Sequence, residues 1–446
     1  MMKLFGTDGI RGTPGVYPLT DEMLSKIGRA IAYSVKGKKS PKVIIGKDTR
    51  ISGDSIEKTL AGSIKDVGVN VLLAGTITTP GLSFLTKDAR ADAGIMISAS
   101  HNKATDNGLK FFDSNGNKFS EEHEAGIEEI IFNRFHAKGL SAAKKGRVLS
   151  LKNAQAKYTK FLISTVKGLD LKGIKVALDC AWGAASGFGS KVFSQVGAKV
   201  HTIHDKPTGH NINEGGAINP GLLRDFVLKT KADIGVAVDG DGDRGILIDE
   251  QGNVVDGDCI LAVIARYLME NNNLPKKTVV GTVMSNYGLK VSLEQVGAKI
   301  ITTSVGDKYV LEALLDNNLP LGGEQSGHII FLNFHSSPDG LLTALQMLNI
   351  MKKTKTSLSE LCKCMTKFPQ ILLNIKVTRK IPFEEMPRVQ EQLKRFNGRL
   401  KDEGRILLRY SGTELLARVM VEGRDKGLIE EIAHSLAGQI KNEIGA

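Results

Sequence analysis

Apolar positions along the chain fall into a unit that recurs. An apolar run opens it (KVIIGKD, IKVALDC, KTVVGTV) and a stretch with helical spacing follows (IEKTLAGSIKD, SKVFSQ, LKVSLEQ). Val-Gly-x-x-aliphatic then begins a further run, as VGVNV at 67–71, VGAKV at 196–200 and VGAKI at 296–300. Short apolar runs bounded by glycine turns read as buried strands, and the longer 3.6-spaced stretches read as helices. The pattern predicts strand, helix, strand, three times over, and ordered recurrence of this kind marks an internal duplication.

A second similarity lies downstream. DAGIMI at 92–97 matches DIGVAV at 233–238, and FFDSNGNKF at 111–119 matches LIDEQGNVV at 247–255. The polar segments in between, ISASHN at 97–102 and DGDGDR at 239–244, therefore occupy equivalent loops at the ends of equivalent strands, where open α/β sheets place ligands. LPLGGEQSGHIIFL at 319–332 offers a comparable place in the third copy. From about residue 370 the pattern changes: ILLNIKV and RILLRYSG read as strands and LIEEIAHSLAGQIKNEI as an amphipathic helix. The expected divisions are α/β stretches at 1–145, 146–254 and 255–366, and an α+β stretch at 367–446. The first boundary is placed by the polar run HAKGLSAAKKGR.

Composition narrows the function. With 446 residues, 49 glycines and 12 prolines without a short period, the chain suits a multidomain α/β enzyme. The net charge of +12 rests on dispersed lysines, and aromatics are 5%, so small anionic substrates fit better than nucleic acid. Cys180, Cys259, Cys362 and Cys364 have neither CxxC nor zinc spacing. The start MMKLFGTDGIRG lacks an apolar run of signal length, and no stretch approaches the roughly 18 apolar residues of a membrane span. A cytoplasmic protein is expected, without nucleic-acid or membrane partners.

DGDGDR nearly fits two motifs. Gly240, Gly242 and Gly245 have dinucleotide-loop spacing, while Asp239, Asp241, Asp243 and Glu250 fall at calcium-loop positions 1, 3, 5 and 12. Interleaved aspartates would repel a pyrophosphate, and GILID continues as a strand where the nucleotide motif needs a helix. Arg244 occupies the calcium loop's glycine position, and strands replace its flanking helices. What survives is three carboxylates able to converge on one hard divalent cation, magnesium being favoured, against a plain solvated acidic turn.

ISASHN places Ser98, Ser100 and His101 at a strand end, without the G-x-S-x-G elbow of a hydrolase. A phosphorylated serine would instead supply an oxygen ligand opposite the aspartates and a dianion for transfer. Arg11, Lys47, Arg50 and Lys110 lie in turns suited to phosphate handling. RYSGTE at 409–414, with Arg418 nearby, joins guanidinium, hydroxyl and amide donors into an anion cradle. In GGEQSGH, Glu324 and Ser326 match the donor and acceptor needs of a sugar. No Walker A sequence occurs.

FGTDGIRG, GKDTRISG, ISASHN, DNGLKFF, DGDGDR, MSN, VGDKYV, EQSGH, RYSGTE and RVMVEG, in that order along nearly the whole chain, resemble the bacterial phosphoglucosamine mutase family of the α-D-phosphohexomutase superfamily. The resemblance implies an α/β protein of three similar mixed-sheet domains and a C-terminal α+β domain around a central cleft. It implies an isomerase that interconverts glucosamine 6-phosphate and glucosamine 1-phosphate, feeding UDP-N-acetylglucosamine and peptidoglycan synthesis. Ser100 would be the phosphoserine, and Asp239, Asp241 and Asp243 would hold Mg²⁺ with it. Glu324 and Ser326 would read the sugar, and Arg409, Ser411, Gly412, Thr413 and Arg418 would hold the phosphate that stays. Arg11, His101, Lys110, Arg244 and His328 would support catalysis or move protons.

Glucosamine 1,6-bisphosphate, or glucose 1,6-bisphosphate, would act as activator, and a homodimer is compatible with the family. Lys103, Trp182, Pro338, Leu415 and Ala417 depart from the family pattern without removing a proposed ligand. Alternatives are a phosphomannomutase or phosphoglucomutase and, more remotely, a calcium- or nucleic-acid-binding protein.

Overall fold

Lys42–Lys47 lies between Asn70–Thr76 and Ala93–Ile97, parallel to both, and Asn107–Asp113 runs antiparallel beside the last. Lys175–Asp179, Lys199–Ile203, Ile234–Val238 and Gly245–Asp249 repeat this arrangement. Thr278–Thr282, Lys299–Thr303, Leu321–Gly323 and Ile329–Phe331 repeat it again. One order and one set of strand directions recur in three mixed sheets, so the duplication read from the sequence is a property of the fold.

The computed structural model describes residues 4–6, 8–37, 39–134, 144–411 and 414–446. Most of the polar run used for the first boundary lies outside them. Two packing units result, Met1–Met284 with Ala298–Cys364, and Ser285–Gly297 with Met365–Ala446.

In the first unit the strands that lead into the candidate loops are apolar throughout. AGIMI and IGVAV are buried at every position, as expected of parallel strands covered on both faces. Helices such as Gly53–Asp66 bury one stripe, here Ile56, Leu60, Ala61 and Ile64, and leave charges outside. Ile10–Gly12 pairs with Asn107–Asp113 and brings Arg11 beside the strand that carries Lys110.

The second unit has an antiparallel sheet in which Leu416–Gly423 lies between Gln370–Lys376 and Gly404–Tyr410. Helices Pro387–Leu400 and Lys426–Ile444 supply Val389, Phe396, Ile432 and Leu436 to its core. The sequence pattern did not announce the first of these helices, which is mostly polar and buries only Val389, Phe396 and Leu400. The third repeat's helix, Tyr287–Gln295, packs with this unit. Buried Glu422 accepts from Asn286 Nδ2 at 3.1 Å and from the Tyr287 N–H at 3.2 Å. Among the described residues no helix is long and apolar enough to cross a membrane.

Candidate functional site

The three equivalent loops, one from each repeat, meet in the first unit. Ser100 Oγ donates to Asp239 Oδ2 at 2.8 Å, and His328 Nε2 lies 3.1 Å from Asp243 Oδ1. Lys110, from the strand after the serine loop, places its buried ammonium 2.8 Å from Asp243, 2.9 Å from Asp241 and 3.1 Å from Asp8. Arg11 pairs with Asp8 at 2.7 Å and donates to Asn102 Oδ1 at 3.0 Å. Asp8, Arg11, His101, Arg244, Glu324 and His328 border a cavity of about 610 Å³, with Ser326 on its rim.

Ser100 is left-handed at φ +50°, a conformation a serine adopts only under restraint. Its N–H donates to Ser98 Oγ at 2.9 Å, and its carbonyl receives Arg50 Nη2 at 3.0 Å and Asn213 Nδ2 at 2.7 Å. In DGDGDR the reversal falls on Gly242, at φ +72°, where no side chain resists it.

Charges in the site are balanced between repeats. Burial, with Asp243 and Asp241 close by, pushes the Asp239 carboxyl up to about 7. Burial also opposes the charge on Asp243, but Lys110 and His328 outweigh it and hold that carboxyl well below the usual range. For His328, burial works against the cation, yet Asp243 and Glu324 prevail and raise it to about 10. Arg244 Nε, 3.2 Å from His328 Nε2, opposes that charge. His101 goes the other way: burial, Arg244 and Arg11 lower it to about 4, so its ring is neutral at pH 7. Its Nδ1 is 3.4 Å from Ser100 Oγ.

The donor set fits a magnesium ion. One carboxylate oxygen from each of Asp239, Asp241 and Asp243 lies within 4.8 Å of the others, and this is the single such group among the described residues. Asp241 Oδ1 is buried without a hydrogen-bond partner, while Lys110 and Thr79 engage only the other oxygen, Oδ2. Oxygen-only ligation suits a hard divalent ion. Glu250, the remaining calcium-loop position, is turned away onto Ser359.

Several candidates have other duties. Lys47 pairs with Asp54 and Glu57 at 2.6 and 2.8 Å and does not border the cavity. Arg50 is fully buried on Asp48 and donates to the carbonyls of Ser100, Asn102, Lys103 and Asp106. Glu324 accepts from the Gly306 N–H at 2.9 Å and faces His328 Nδ1 at 2.8 Å. Ser326 is exposed. Trp182, one of the departures, stacks on His204 with ring centroids 3.7 Å apart.

In the second unit Arg409 and Arg418 are direct cross-strand partners, and Arg418 Nε is buried without a partner. Like charges in that register are unfavourable unless an anion joins them, which suits the cradle reading. Ser411 is buried beside them in sequence, while Gly412 and Thr413 lie outside the described residues. Asn213, Asp8 and Thr79 were not singled out by the sequence. Thr79 bonds Asp241 through both its N–H and its hydroxyl, and only long-range packing reveals such a contact.

Comparisons with known proteins give the family and the fold. Phosphoglucomutase/phosphomannomutase alpha/beta/alpha domains I, II and III match residues 2–138, 156–252 and 256–368, and the C-terminal domain of that family matches 372–439. A phosphoglucosamine mutase of Geobacter sp. (strain M21) is 46% identical over 100% of this chain and 99% of its own. The crystal structure of a phosphoglucomutase/phosphomannomutase family protein from Burkholderia thailandensis superposes with a TM-score of 0.82 at 21% identity, covering 100% of this chain and 99% of that one. Aspergillus fumigatus N-acetylphosphoglucosamine mutase, solved in complex with GlcNAc-6P and magnesium, shares the fold with a TM-score of 0.66 at 16% identity, over 98% of this chain and 95% of that one.

Proposed function

The chain belongs to the phosphoglucomutase/phosphomannomutase family within the α-D-phosphohexomutase superfamily, and from that premise we propose that its three-loop site interconverts glucosamine 6-phosphate and glucosamine 1-phosphate. This isomerase activity belongs to amino-sugar metabolism. The observation that carries its mechanism is the 2.8 Å contact of Ser100 Oγ with a buried aspartate set that leaves an acceptor of Asp241 free.

Ser100, phosphorylated, gives its phosphoryl group to one sugar hydroxyl and makes a 1,6-bisphosphate. The sugar turns over, Ser100 Oγ accepts the other phosphoryl group, and the isomer leaves. Atoms balance, since the proton lost by the attacking hydroxyl returns to the sugar oxygen left behind in the second half-reaction. Asp239, Asp241 and Asp243, with the phosphoserine, would hold Mg²⁺, which when bound offsets the dianion's charge. Lys110 and Arg11 steady the aspartates and the serine loop, and His101 borders the place where the proton changes hands. Glu324 and Ser326 orient the sugar hydroxyls, Arg244 and His328 line their approach, and Arg409, Ser411, Gly412, Thr413 and Arg418 take the phosphate that is not moving.

A trace of glucosamine 1,6-bisphosphate or glucose 1,6-bisphosphate would prime the serine. We keep 1–145, 146–254, 255–366 and 367–446 as the divisions, with a cytoplasmic site of action and a homodimer as the assembly to look for.

Phosphopeptide mapping of the purified chain and a Mg²⁺-dependent assay on glucosamine 6-phosphate with a trace of bisphosphate test the reading. Phosphate on Ser100, and loss of turnover in Ser100→Ala, are expected. Full activity in that variant would overturn the mechanism, and faster turnover of mannose or glucose phosphates would move the substrate to the neighbouring branch.

A further inference from the structure

Asn213 lies in HNINEGG, to which the sequence assigned no role. It is buried, left-handed at φ +66°, and anchored by its own N–H on the Ala181 carbonyl at 2.9 Å. Nδ2 donates to the carbonyls of Ser100 at 2.7 Å and Asn102 at 2.9 Å, and Oδ1 accepts the Gly240 N–H at 2.8 Å. One side-chain amide thus bonds the serine loop of the first repeat and the aspartate loop of the second. Its orientation follows from its partners, since a flipped amide would set oxygen against two carbonyls and nitrogen against an N–H.

Arg50 Nη2 reaches the same two carbonyls, at 3.0 and 2.8 Å. Arg50 and the serine loop belong to one repeat, so this guanidinium shapes the loop without fixing its distance from the aspartates. The Cα of Gly240 lies tight against Asn213, for a Cβ built there would be 2.8 Å from Nδ2. The cross-link therefore has no slack on the aspartate side.

Resting on the mutase reading, we propose that Asn213 is a positioning residue that sets the spacing between Ser100 and the Asp239, Asp241 and Asp243 metal set. Phosphoryl transfer depends on that spacing, and a misplacement of about 1 Å costs about 10²-fold in rate. Groups that orient a metal's ligands commonly change its affinity by about 10- to 100-fold. Asn213 does not border the cavity lined by Arg11, His101, Glu324 and His328, so its effect belongs in kcat and metal affinity.

Asn213→Asp keeps the acceptor for Gly240 but removes both donors, and Asn213→Ala removes all three bonds. Each full-length variant is assayed for kcat and KM on glucosamine 6-phosphate, for melting temperature, and by calorimetry with Mg²⁺ alone. Expected are a kcat about 10²-fold lower, a KM within about twofold of the parent, and Mg²⁺ binding weaker by about tenfold. Parental kcat and Mg²⁺ affinity in a folded variant would overturn the proposal, as would a raised KM at parental kcat. Asn213→Ser, which keeps a hydroxyl in the gap, takes the place of a variant that loses its fold and is judged by the same outcomes. If the parent chain neither turns over nor carries phosphate on Ser100, the mutase reading falls, and the Mg²⁺ calorimetry alone decides on Asn213.

Discussion

At the ends of Ala93–Ile97 and Ile234–Val238 the chain leaves two equivalent strands through two unlike loops. The serine loop turns without a glycine and holds Ser100 left-handed, so it carries backbone strain. It keeps its shape because Arg50 and Asn213 hold it from outside and Ser98 from within. The aspartate loop turns on Gly242 and has no such strain, but it gathers three buried carboxylates. Lys110 from the first repeat and His328 from the third offset their charge. One loop is conformationally costly and the other electrostatically costly, and each relies on groups that a different segment supplies. The candidate nucleophile and the candidate metal site therefore meet at the ends of duplicated strands, each loop relying on support from elsewhere.

The largest effect is expected where the serine loop loses its outside support. Arg50 and Asp48 pair at 2.9 Å with both side chains fully buried. Arg50→Ala leaves buried Asp48 without its cation and the Asp106 carbonyl without its donor, while the carbonyls of Ser100, Asn102 and Lys103 keep Asn213 Nδ2 or the Asp106 N–H, and should cost about 3–5 kcal/mol. A lowered urea midpoint together with loss of turnover is the expected result. An unchanged midpoint would mean the loop holds itself.

Next in size is the electrostatic side. Asp241→Asn keeps shape and removes the carboxylate whose Oδ1 has no partner. Turnover should fall by about 10²-fold, the scale of losing one charge-stabilising group. Mg²⁺ should no longer raise the melting temperature, while the metal-free protein melts no lower than its parent. If Mg²⁺ still stabilised the variant, the cation would sit elsewhere.

How much of this was legible in the sequence follows from the same contrast. Regular period and glycine punctuation exposed the repeats, and equivalent strand ends then placed Ser100 and the aspartates in matching loops before any contact was known. Arg50 was read as suited to phosphate handling because a cation in a turn looks alike whether it faces solvent or four backbone carbonyls. Asn213 gave no signal, since its side-chain partners lie 27, 111 and 113 positions away and no local spacing encodes them. Helix Pro387–Leu400 was missed because three buried apolar residues in a polar stretch make too thin a stripe.

A smaller effect is expected at the aspartate loop's hinge. A Cβ on Gly242 would stand 2.6 Å from Thr78 Cγ2, and φ +72° disfavours any side chain. Gly242→Ala should cost about 1–3 kcal/mol, read as a lower urea midpoint. Thr78→Ser in the same chain removes the clashing methyl and keeps the hydroxyl that caps Gly81 at 3.2 Å. The double variant should recover part of the loss. The part it does not recover combines the cost of the backbone conformation with the remaining close approach of residue 78 Cβ, at 3.1 Å.

The smallest effect isolates that conformational cost on the serine side. Ser100→Ala and Ser100→Gly both remove the hydroxyl and its bond to Asp239, so the two variants differ in how readily residue 100 adopts φ +50° and in the one buried Cβ that glycine lacks. The left-handed region costs an alanine about 1–2 kcal/mol, and glycine's freer unfolded chain takes back about 0.5–1 kcal/mol. Ser100→Gly should therefore be the more stable of the two inactive variants, by about 0.5–1 kcal/mol in urea unfolding. Equal stability would show that the restraints from Arg50, Asn213 and Ser98 do not hold residue 100 against its own preference, and the contrast with Gly242 would lose its basis.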